Sequence, residues 1–99
     1  MKIPAKLKVG GITYKVIKGY KFTEIELGGQ ACHTEAEIRL SDTGHGGREY
    51  AIEKKEEIFL HEILHAVDCI YNTGETEEAV IDRLSNGLYQ VLKDNGLLK

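Results

Sequence analysis

No apolar run in this 99-residue chain approaches the roughly 20 residues a helix needs to span a bilayer, so no membrane partner is expected. Basic runs are equally scarce. None is longer than Lys54-Lys55 and the formal net charge is −3, which argues against a phosphate-reading patch and hence against a nucleic-acid partner. The two cysteines, Cys32 and Cys69, are too few and too far apart for a disulfide framework or a Cys-x-x-Cys metal site. They are expected as reduced, partly buried thiols, with Cys69 packing between helices. The start, Met1-Lys2-Ile3-Pro4, is unlike a signal peptide, which makes the cytoplasm the expected location. There is no repeat, linker or low-complexity segment, and the length suits one domain, residues 1–99, with one modest core. What is there, 41% hydrophobic and 29% charged residues, is an ordinary globular composition.

The N-terminal half reads as a small antiparallel or mixed sheet. Leu7 to Ile17 is two alternating segments around Gly10-Gly11, a hairpin pattern. Tyr20 to Leu27 has a mixed pattern, compatible with a short strand or an irregular crossing, and Gly28-Gly29 forms a turn. Gln30 to Thr34 and Ala36 to Ser41 are again extended, the latter with Ala36, Ile38 and Leu40 on one face. Asp42 to Arg48, with three glycines in five positions, is a flexible loop. His33 and His45 are expected on the sheet surface and in this loop. A first helix is expected over Ile52 to Tyr71, closed by Asn72-Thr73-Gly74. A second starts near Thr76, a possible N-cap, and ends near Lys93, with Val80, Ile81, Leu84, Leu88, Val91 and Leu92 as its apolar stripe. Joined by a short turn, the two helices should pack together, giving an α+β fold.

The first helix carries His61-Glu62-Ile63-Leu64-His65. Residues four apart lie about 40° from each other around a helix, so both imidazoles reach one ion while Glu62 projects beside them. This is the His-Glu-x-x-His arrangement, in which two neutral imidazoles hold zinc and the carboxylate acts on water at the metal. The pattern alone recurs by chance in so His- and Glu-rich a chain. Its context carries the weight, because Leu60, Ile63, Leu64, Val67, Ile70 and Tyr71 fall within an arc of roughly 120° on the far side.

A catalytic zinc wants a third protein ligand and an open position. The metzincin solution is absent, since Asp68 and Tyr71 stand where it needs Gly and His. Asp68 is a weak candidate on the same helix. Glu78 and Asp82 share one face of the second helix, continued by Ser85 and Tyr89. Glu78 is therefore assigned as third ligand and Asp82 as acceptor of a ligand histidine's free ring N–H. Glu77 and Glu75 are the alternatives for the ligand.

His61 to His65 followed by Glu78-Ala79-Val80-Ile81-Asp82 resembles the gluzincin pattern of thermolysin-like metallopeptidases, where an Asp follows the Glu ligand by four residues. Over nearly its whole length the chain more closely resembles small metallopeptidases encoded by phages and mobile elements of Gram-positive bacteria. The resemblance rests on Lys8-Val9-Gly10-Gly11-Ile12-Thr13-Tyr14, on Ile38-Arg39-Leu40-Ser41, and on the end running from Asn86-Gly87-Leu88-Tyr89 to Asn95. It implies a minimal zincin-like fold, zinc as cofactor, and a peptide or protein substrate, a regulatory protein among the candidates.

The expected mechanism has Glu62 taking the proton of a zinc-bound water that attacks a peptide carbonyl. Tyr50, Tyr89 or His45 would stabilise the oxyanion, and Glu37 to Ser41 is the candidate edge strand for an extended substrate. Two readings without catalysis stand beside it. One is an interaction module whose folded state zinc ties together. The other is a metal-free binding protein that keeps the motif as a relic.

Overall fold

Gly10 and Gly11 reverse the chain between β1 (Lys6–Val9) and β2 (Ile12–Lys18), with Val9 paired to Ile12 across the turn. Gly10 has φ +61°, and a Cβ there would lie 2.8 Å from Ile70 Cγ2, so both the turn and the helix packed over it require glycine. A computed structural model describes residues 1–23 and 27–98. Of the Tyr20 to Leu27 stretch, residues 24–26 lie outside the described residues.

The chain continues into β3 (Gly29–Cys32) and β4 (Glu37–Leu40), which form one four-stranded mixed sheet in the order β1-β2-β4-β3. β4 runs parallel to β2 and antiparallel to β3. This overturns Glu37 to Ser41 as the edge strand: both sides of β4 are paired. The edge beside the helices is β3, and Gly28-Gly29, expected as a turn, leads directly into it. Asp42 to Arg48 is more structured than a flexible loop. It contains a single 3₁₀ turn, His45–Gly47, and is closed by Gly44 N–H to Arg48 O at 2.8 Å and Tyr50 N–H to Asp42 O at 2.8 Å.

Two helices follow, α1 (Ile52–Tyr71) and α2 (Glu78–Asp94). α1 lies on the sheet. Phe59, Ile63, Ala66 and Ile70 recur at helical spacing and meet Tyr14, Val16, Ile38 and Leu40 in the core. The sheet-facing stripe is thus turned from the expected arc, because Phe59 and Ala66 belong to it while Val67 and Tyr71 are exposed. Cys69 is exposed as well, so it does not pack between the helices.

α2 runs back along α1, as the pairs Glu78–His65, Ser85–His61, Tyr89–Glu56 and Lys93–Glu53 show. It starts at Glu78, close to the expected place, but Thr76 is not its N-cap: the N–H and hydroxyl of Thr76 are both engaged by the Asp68 carboxylate. Asn72 Nδ2 donates to the same carboxylate at 2.8 Å, so Asp68 holds the interhelical loop and stands outside the His61, His65 and Glu78 group. The buried line of α2 is Ile81, Ser85 and Tyr89. The expected apolar stripe is only partly used: Leu84, Leu88 and Val91 face solvent. Polar contacts to α1 set the rotation of α2, and Leu60 and Ile81 supply the buried apolar part of the interface, roughly 2 kcal/mol for a side chain the size of Ile81.

Candidate metal centre

The helical spacing of α1 puts His61 and His65 side by side, with ring centroids 4.9 Å apart and Nε2 atoms 3.1 Å apart. The tight turn held by Asp68 delivers the first residue of α2 to the same place. Glu78 Oε1 lies 2.7 Å from His61 Nε2 and Oε2 lies 2.8 Å from His65 Nε2. The carboxylate also sits at the positive end of the α2 dipole. The ligand atoms of His61, His65 and Glu78 fall within 4.8 Å of one another, and this group could hold a metal ion.

Proton accounting supports that fit. With Glu78 ionised, each imidazole must carry a proton on Nε2 to bond the carboxylate, yet two Nε2–H groups at 3.1 Å would oppose each other. A single cation satisfies all three lone pairs at once. Glu78 is 68% exposed at its side chain, so the group opens to solvent on that side. Glu75 and Glu77, the alternatives for the third ligand, are exposed and stand outside the group.

Glu62 lies next to the group on α1 and lines a cleft of about 270 Å³ with His61, Glu78, Tyr50 and the Gly28-Gly29 segment. It is only 6% exposed. Burial, and then the negative charge of Glu78, push its carboxyl up to about 8, while the backbone N–H of Ala31 offsets part of the shift. Gly29 is what admits this buried carboxyl: a Cβ there would lie 2.8 Å from Ile58 Cγ2 and 3.0 Å from Glu62 Oε2. The β3 edge is therefore part of the site. Sequence reasoning missed it, although a glycine beside a buried helix carboxyl is the residue such a close approach needs.

The remaining candidates separate clearly. Asp82 lines the cleft, but its Oδ1 is 3.6 Å from His61 Nδ1, beyond hydrogen-bond distance. The atom within reach of Nδ1 is Ser85 Oγ, at 3.3 Å. Tyr89 is buried and donates its hydroxyl to Glu56 Oε1 at 2.6 Å, which removes it as an oxyanion stabiliser. His45 is exposed on its 3₁₀ turn and does not line the cleft. Tyr50 does line it. His33 Nδ1 meets the hydroxyl of fully buried Tyr14 at 3.1 Å, and partial burial, followed by the charge of His65, lowers the His33 pKa.

Comparison of the chain with protein-family models, curated proteins and solved structures gives no match. Among the described residues, no helix is long and apolar enough to cross a membrane.

Proposed function

We propose that this chain is a small zinc-dependent metallopeptidase of the phage and mobile-element kind, with a zincin-like arrangement, acting on a peptide or protein in the cytoplasm. The observation that carries the reading is the convergence of His61, His65 and Glu78 beside the buried carboxyl of Glu62. His61, His65 and Glu78 would hold zinc, whose two imidazoles and one carboxylate are a catalytic donor set. When bound, zinc supplies a Lewis acid that acidifies water and polarises a carbonyl.

This chain's own residues supply the rest. Glu62 Oε takes the proton of the attacking water and returns it to the leaving amine. In the metal-free chain, burial and then the charge of Glu78 hold Glu62 above the usual carboxylate range, which makes its carboxylate the stronger proton acceptor. β3 is an edge strand: Gly28, just before it, accepts the Ser41 N–H, Gly28 and Gly29 line the cleft, and the N–H of Ala31 is taken by Glu62. An extended peptide would pair with that edge. Tyr50 is the candidate donor to the oxyanion. Three protein donors rather than four, among the described residues, favour an open site over a purely structural zinc tie.

The test is Glu62→Gln, assayed with zinc-loaded protein on a quenched-fluorescent peptide library. Zinc content should stay at the native level while hydrolysis falls at least about 100-fold. Undiminished hydrolysis by the variant would remove Glu62 from this role.

A further inference from the structure

We infer that Ser85 is the residue that orients His61 for metal binding, an inference that rests on the metal reading of the site. The side chain of Ser85 is fully buried in the α1–α2 interface. A serine hydroxyl has one proton to give and two lone pairs to accept with. The proton goes back along α2 to the carbonyl of Asp82, at 3.0 Å. Toward His61, Ser85 Oγ can then act only as an acceptor, and it stands 3.3 Å from Nδ1, at the long end of the hydrogen-bond range. When a metal takes the Nε2 lone pair, the proton of a neutral His61 must sit on Nδ1, where Ser85 Oγ is placed to accept it. The Nε2 lone pair is left to point at His65 and Glu78, the direction in which a ligand must present it.

Asp82 would do the same work more strongly if it reached, but at 3.6 Å and largely exposed it contributes through its charge alone. The serine has a second advantage. Buried between helices, its Oγ cannot be replaced by bulk water, so it is the acceptor that Nδ1 keeps when Nε2 faces a metal. Ser85 is thus a positioning residue, acting on the metal through His61.

The experiment measures zinc affinity by competition with a chromophoric chelator for native protein, Ser85→Ala, Ser85→Thr and Asp82→Ala. In parallel, the His61 ring N–H resonance of the zinc-loaded proteins is followed by NMR. Ser85→Ala should weaken zinc about 10- to 100-fold, the range for loss of a histidine's hydrogen-bond partner, while one zinc per chain still binds at saturation. Its Nδ1–H should move upfield and exchange faster with water. Ser85→Thr, which keeps the hydroxyl, should restore the resonance, and Asp82→Ala should change affinity less than about 3-fold, as expected for an exposed charge. Native affinity and an unchanged Nδ1–H in Ser85→Ala would overturn the inference while leaving the metal site standing. So would a loss carried by Asp82→Ala instead. A native protein that takes up no zinc would overturn this inference together with the reading on which it rests.

Discussion

The two sides of α1 are packed by different chemistry. Against the sheet, Phe59, Ile63, Ala66 and Ile70 meet Tyr14, Val16, Ile38 and Leu40, an apolar contact that is the core of the protein. Against α2, the contacts are mostly polar: Tyr89 to Glu56, Ser85 to His61, and Glu78 to both histidines, with Leu60 and Ile81 as the buried apolar part. The first interface holds the buried apolar cluster of the fold. The second spends its contact surface on groups that bind protons and ions. Its consequence shows on α2 itself, where Leu84, Leu88 and Val91 are left in solvent so that Glu78, Ser85 and Tyr89 can face α1.

Truncation should separate the two sides most sharply. Phe59→Ala empties a nearly inaccessible site in the sheet interface and should cost about 3–5 kcal/mol in urea unfolding. Ile81→Ala, on the α2 side, should cost less, about 2–3 kcal/mol, because Ile81 stands outside the buried apolar cluster that contains Phe59. Equal or reversed costs would contradict the division of labour drawn between the interfaces.

A smaller effect is expected from pH, and it comes from two buried glutamates of α1 that titrate in opposite senses. The Met1 amino group, at 2.8 Å, and the Tyr89 hydroxyl hold Glu56 below the usual carboxylate range. Its contribution is present above the unfolded value of about 4.5 and is lost as pH falls. Glu62 is raised to about 8, so the folded state binds its proton more tightly than the unfolded chain does. Between about 4.5 and 8 the folded state therefore holds the extra proton, and stability falls as pH rises through that window. The metal-free protein should be most stable in mildly acidic solution and lose at least about 5 °C of Tm between pH 5 and 8, a loss that Glu62→Gln should flatten. A Tm of the metal-free native protein that rises over this window would show that Glu62 is not held protonated by its surroundings.

Much of this molecule was legible in its sequence, and the limits follow a physical line. The periodicity over Ile52 to Tyr71 and the stop at Asn72-Thr73-Gly74 marked α1 to its observed ends, because helix signals are local. His61 and His65 share a face for the same reason, and a tight turn to Glu78 leaves α2 few other places to begin. The order of the strands was not legible. β4 is flanked by β2 and β3 through pairings set by the path of the chain rather than by the pattern of Glu37 to Leu40. Nor was the rotation of α2, which decides between Asp82 and Ser85 as neighbour of His61 by a few tenths of an ångström and turns Tyr89 toward Glu56. Asp68 was equally ambiguous, since a carboxylate one turn beyond a metal motif serves a loop as readily as an ion, and here Thr76 and Asn72 claim it.

We propose that α1 and α2 together make one metal site with Glu78 as its third protein ligand. Elemental analysis of the purified protein after incubation with zinc and removal of excess, beside Glu78→Ala and Glu77→Ala, tests it most directly. One zinc per chain is expected in the native protein and in Glu77→Ala, and loss of zinc in Glu78→Ala with the metal-free fold intact. No zinc in the native protein, or full zinc in Glu78→Ala, would contradict it.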